Sequence, residues 1–78
     1  MDPNKLVMMA NQIAAFFAAD PDRTAAVDGV AGHLQKFWEP RMRREILAVL
    51  DGGGTHGMHE LVVAALTERR QALTPAAG

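Results

Sequence analysis

The stretch from His33 to Gly54, HLQKFWEPRMRREILAVLDGGG, decides the fold, because it holds a helix end, a corner, a new helix and a stop. Leu34, Phe37 and Trp38 continue an apolar stripe begun by Val27, Val30 and Ala31, at the i, i+3, i+4 spacing of a helix. Pro40 has no N–H with which to extend that helix and disfavours helical geometry at Glu39, so the chain must turn there. Beyond the corner Met42, Ile46, Val49 and Leu50 mark the buried side of another helix. Asp51-Gly-Gly-Gly54 ends it, since glycine takes the left-handed cap conformation without steric penalty.

Upstream, Asp2-Pro3 is a helix start, a side-chain acceptor followed by a proline suited to the first turn. The spacing predicts a first helix over 2–19 with Leu6, Met9, Ala10, Ile13, Phe16 and Phe17 as its stripe. Asp20-Pro21 repeats the device and opens a second helix over 21–38. Gly29 and Gly32 lie inside it, each costing about 1 kcal/mol against alanine. They mark a close backbone approach or a frayed turn, or else they are tolerated weak positions. The third helix covers 40–51. A fourth, over 57–72, turns Leu61, Val62, Ala65 and Leu66 inward and Glu60, Glu68, Arg69 and Arg70 outward, leaving 74–78 as a frayed tail. No strand-like alternation and no internal repeat competes. The expected fold is all-α, a compact bundle of about four short helices in a single domain over 1–78.

A chain of 78 residues is marginal as a free domain, burying only about 60% of its unfolded surface. It has no cysteine, which rules out a disulfide staple and favours a reducing compartment, the cytoplasm. A net charge of -1 gives no global bias toward nucleic acid or an anionic membrane. The apolar N-terminus looks superficially like a signal peptide, but Asn11 and Gln12 interrupt it well short of membrane-spanning length. No nucleophile with its base, no phosphate loop and no catalytic carboxylate pair stands out, so the chain is not expected to be an enzyme by itself.

Two surfaces stand out as partner-binding candidates. Between Pro3 and Ala19 the only charge is Lys5, and the side opposite the stripe carries Met8, Ala15 and Ala19 beside Asn11 and Gln12. Either a partner covers this face, or the helix is the central one of its own bundle. The second surface gathers His33, Lys36, Phe37, Trp38, Pro40, Arg41 and Arg43 around the corner, and tryptophan and arginine are the residues that dominate interface hot spots. Its alternative is a core aromatic pair with solvated arginines. Phe37 and Trp38 are about 100° apart on a helix, so one of them should lie at the rim of the core. Lys36, Arg41, Arg43 and Arg44 could instead track phosphates, making a small nucleic-acid-binding or regulatory module the alternative function, though Glu39 and Glu45 sit among them. His33, His56 and His59 with Glu60 are too few and too scattered to argue for a metal.

Met9-Ala-Asn-Gln-Ile13 with Phe16-Phe17, then His33-Leu-Gln-Lys-Phe-Trp38 and Pro40-Arg-Met-Arg43, resembles the delta subunit of NAD-dependent formate dehydrogenases, from about Asn4 to Leu66. The resemblance is weakest from Thr55 to Glu60, so it carries no role to His56 or His59. It implies an accessory subunit of a cytoplasmic molybdenum- or tungsten-dependent complex that oxidises formate and passes electrons through iron-sulfur clusters and flavin to NAD. Such a subunit serves the assembly or stability of the large (alpha) cofactor-bearing subunit, its expected partner, and itself carries no cofactor. That agrees with the absence of cysteine for cluster ligation. Self-association of the isolated chain is a secondary expectation; nucleic acid and membrane are not expected partners.

Overall fold

The computed structural model describes residues 2–54 and 57–76. It is 75% helical, and no strand occurs among the described residues. In chain order the elements are α1 (Pro3–Phe17), α2 (Arg23–Phe37), α3 (Pro40–Asp51), α4 (Glu60–Glu68) and the single turn α5 (Arg70–Leu73).

The differences from the expected boundaries have local causes. At the start of α1 the Asp2 side chain accepts the Asn4 N–H at 2.9 Å. The Asp20 carboxylate is not the cap of α2: it accepts the N–H of Asp22, and Asp22 in turn accepts from Thr24 and Ala25. Two successive aspartate turns therefore lie between the helices, so α1 stops at Phe17 and α2 starts at Arg23. At the corner both Trp38 (ψ 138°) and Glu39 (ψ 150°) are extended, so α2 ends at Phe37 and Pro40 takes the first helical position of α3.

The expected fourth helix is two pieces. Gly57 has φ +81°, a left-handed conformation, and the helix begins only after His59, whose Nδ1 accepts the Leu61 N–H at 3.0 Å. Arg69 (φ -117°, ψ 26°) breaks the helix again before α5. The extra turn buries Leu73 completely, and the Thr74 hydroxyl donates to the Arg70 carbonyl beyond it. Of the expected tail, Ala77 and Gly78 lie outside the described residues.

The core forms where α2 packs against α1, α4 and α5, with Val27, Val30 and Leu34 of α2 meeting Leu6, Val62, Leu66 and Leu73. The radius of gyration, 11.4 Å, matches the roughly 11.5 Å of a compact globule of this length. Among the described residues, three ion pairs tie the C-terminal elements down: Arg23 to Glu68, Arg69 to Asp28 and Arg70 to Asp51.

The buried sides of α1 and α3 differ from the expected stripes. In α1 the fully buried line is Leu6, Ala10 and Ala14, with Ile13 and Phe17 at its edge, so Met9 and Phe16 fall outside. Small alanines let α2 approach closely, and that choice rotates the larger side chains toward the shoulder. The approach is visible at Gly29, where a Cβ would come within 2.3 Å of the Phe17 ring. Gly32 faces open space and has no such neighbour. In α3 Leu47 joins Ile46 in the core, while Met42, Val49 and Leu50 are only partly buried.

Candidate functional site

A groove of about 510 Å³ runs between α1 and the C-terminal half of α2. From α1 it takes Met9, Gln12, Ile13, Phe16 and Phe17; His33 forms the α2 wall and Trp38 closes the end. The position of Trp38 follows from the corner: leaving the helix one residue before Glu39 swings the indole back under α1, where it is 6% exposed. Phe37, still helical, is 71% exposed. Its ring lies 4.8 Å from that of His33, and Phe16 meets Phe17 edge to face at 5.1 Å.

Four large apolar side chains stand exposed: Met8, Met9, Phe16 and Phe37 are 62%, 37%, 75% and 71% exposed. Scattered singly such residues need no explanation, but Met9 and Phe16 line one groove, and Phe37 borders the adjoining depression with Phe17, His33 and Lys36.

The expected partner-binding residues divide into two groups. His33, Trp38 and Gln12 line the groove, Phe37 and Lys36 flank it, and Met8, Pro40 and Arg41 are exposed. Asn11 and Arg43 turn inward. The Asn11 amide donates to the Gly57 carbonyl at 2.7 Å and accepts the His59 N–H at 2.8 Å. Arg43 is half-buried, its guanidinium 3.5 Å from the Leu73 carbonyl and its Nε shielded without an acceptor among the described residues. Arg43 therefore does not join Arg41 and Arg44 in one exposed cationic patch.

Met9 and Phe16 are the groove residues that periodicity assigned to the core and that stand exposed instead. The signal that separates them from it is size: Ala10 and Ala14 offer the line along which another helix can come close.

Among the described residues no group of three His, Cys, Asp or Glu side chains could hold a metal ion. His59 already caps α4, and His56 lies outside the described residues. No helix is long and apolar enough to cross a membrane. The exposed ion pairs move their own titrations: the Arg23 guanidinium bonded to Glu68 holds that carboxyl below its ordinary value, and Arg70 does the same to Asp51.

No curated protein and no solved structure matches the chain significantly. One family model does match, over residues 5–66, that of the NADH-dependent formate dehydrogenase delta subunit FdsD. The matched span contains the groove, both of its walls and the Pro40 corner.

Proposed function

Since the chain belongs to the NADH-dependent formate dehydrogenase delta subunit family, we propose that it is a non-catalytic accessory subunit of such a complex in the cytoplasm. It binds the large (alpha) cofactor-bearing subunit and serves the assembly or stability of the whole. The observation that carries this reading is the α1–α2 groove with Met9, Phe16 and Phe37 standing exposed around it. An apolar face of this kind, on a chain too small to wrap its own first helix, needs a protein to cover it.

Co-purification tests the reading. A tagged full-length chain expressed with the formate dehydrogenase subunits should retain the large subunit, and cells lacking the chain should yield less assembled complex. Recovery of the complex undiminished without the chain, together with failure of the tagged chain to retain any subunit, would remove it. The purified chain alone should not oxidise formate. Salt-sensitive micromolar binding to duplex DNA or single-stranded RNA would favour a nucleic-acid module instead.

A further inference from the structure

The groove's shape and charge specify what fills it. We propose that its occupant is an amphipathic helical segment of the large subunit, seated by apolar side chains and carrying acidic residues along the edge that faces Lys5 and Lys36. This rests on the accessory-subunit reading and adds the chemistry of the partner segment.

A small apolar ligand inside the groove would leave Phe16 and Phe37 in water, because both project beyond its walls and are more than 70% exposed. A helix about 10 Å across, laid along α1, covers the groove and both rings at once. The anchors it would meet run along α1 at the matching period, Met9, Gln12, Ile13 and Phe16.

Charge decides between a partner segment and a second copy of this chain. Lys5 precedes Met9 by one helical turn and so shares its face, and Lys36 borders the adjoining depression on the α2 side. Neither makes an ion pair among the described residues. The carboxylates on the two walls are already engaged: Asp2 caps α1, and Asp28 pairs with Arg69. At the far, hairpin end Asp20 and Asp22 accept backbone N–H groups. Glu39, exposed past Trp38 at the corner, makes no ion pair among the described residues, and neither does the exposed Arg41 beyond it, so the rim sets Lys5, Lys36 and Arg41 against one carboxylate. A two-fold pair of this face would set that cationic excess against itself, with Glu39 alone to answer it. A segment with an acidic edge supplies the missing charge.

Trp38 is the only tryptophan and it lines the groove, so its emission reports occupancy directly. The full chain is titrated with overlapping peptides covering the large subunit, any tryptophan in them replaced by phenylalanine, and variants are compared by co-purification. One acidic, amphipathic peptide should shift the emission and saturate. Phe16→Glu should abolish that binding, and Lys36→Glu should weaken it about fivefold at low salt while Lys36→Arg keeps it. Thermal unfolding of each variant verifies that these exposed positions leave the fold intact. If the large subunit is held equally by wild type, Phe16→Glu and Lys36→Glu, the groove is not the seat and only the accessory reading survives. Self-association lost in Phe16→Glu, with no peptide shifting Trp38, would make a second copy the occupant. Failure of the wild-type chain to hold the large subunit at all removes both readings together.

Discussion

The side-chain oxygen of Asn11 accepts the backbone N–H of His59 at 2.8 Å, and the same amide donates to the Gly57 carbonyl at 2.7 Å. One side chain thus fixes the approach to α4 from the middle of α1. His59 then caps α4 through its own ring nitrogen, so α1, the glycine turn and α4 form a single linked unit. Asn11→Ala removes both bonds and should destabilise the chain by about 1–3 kcal/mol. Asn11→Asp keeps the acceptor and loses the donor, so it should fall between. Thermal unfolding of the three proteins reads this order, and equal melting of Asn11→Ala and wild type would contradict it.

Gly29 and Gly32, one helical turn apart in α2, should respond to alanine with opposite signs. At Gly32 the new methyl enters open space, and the gain in helix propensity is up to about 1 kcal/mol. At Gly29 the Cβ would sit 2.3 Å from the Phe17 ring. Overpacking of that kind costs about 1–3 kcal/mol, enough to cancel or exceed the propensity gain. The displaced ring also changes the groove, so Gly29→Ala should shift Trp38 emission where Gly32→Ala does not.

Acid should weaken the attachment of the C-terminal elements. Hydrogen bonds from Arg23 to Glu68 and from Arg70 to Asp51 lower both carboxyl pKa values in the folded chain. A depressed folded value means the unfolded chain takes up the proton first. The stabilisation is therefore complete above the ordinary carboxylate range, and it is lost as pH falls through that range toward the folded values. Both pairs are exposed, so the effect is small and salt-screened. The double variant Glu68→Gln, Asp51→Asn should show a shallower fall in melting temperature below about pH 4.5 than wild type.

The corner was legible in the sequence because proline acts locally. Pro40 takes the first helical position of α3, Pro40–Asp51, after an extended Glu39. The rotation of α1 was not legible, because it depends on which neighbour comes close. Met9 and Phe16 satisfy helical spacing as well as Ala14 does, and the packing of α1 on its neighbours, with Phe17 filling the space over Gly29, is what buries the alanine line. For the same reason composition around Pro40 grouped Arg41 with Arg43. Two residues along a helix turn about 200°, which sends one outward and the other toward α5.

Phe37 and Trp38 should separate folding from binding. Trp38 is 6% exposed, so Trp38→Ala opens a cavity and should cost about 3–5 kcal/mol. Phe37 loses little on truncation beyond its contact with His33, and Phe37→Ala should melt close to wild type. On the proposed function the same Phe37→Ala variant should hold the large subunit less well, which co-purification measures.

The two arginines after Pro40 make the sharpest contrast, because they are neighbours in sequence with opposite surroundings. Arg41 is exposed and makes no ion pair among the described residues, so Arg41→Ala should change stability by no more than about 0.5 kcal/mol. Arg43 lays its aliphatic stem against the fold and points its guanidinium at the Leu73 carbonyl, holding α5 to α3. The 3.5 Å separation makes that hydrogen bond a weak one, so packing of the stem supplies much of the contribution. Arg43→Ala should therefore lower stability by about 1–2 kcal/mol. Arg43→Met restores the stem without the charge and should recover most of the loss. If Arg41 belongs to the docking surface, Arg41→Ala weakens retention of the large subunit at unchanged melting temperature, whereas Arg43→Ala weakens it only in proportion to unfolding. Thermal melts paired with co-purification of all three variants decide the matter. Wild-type melting by Arg43→Ala would show that its contact with Leu73 does not hold α5.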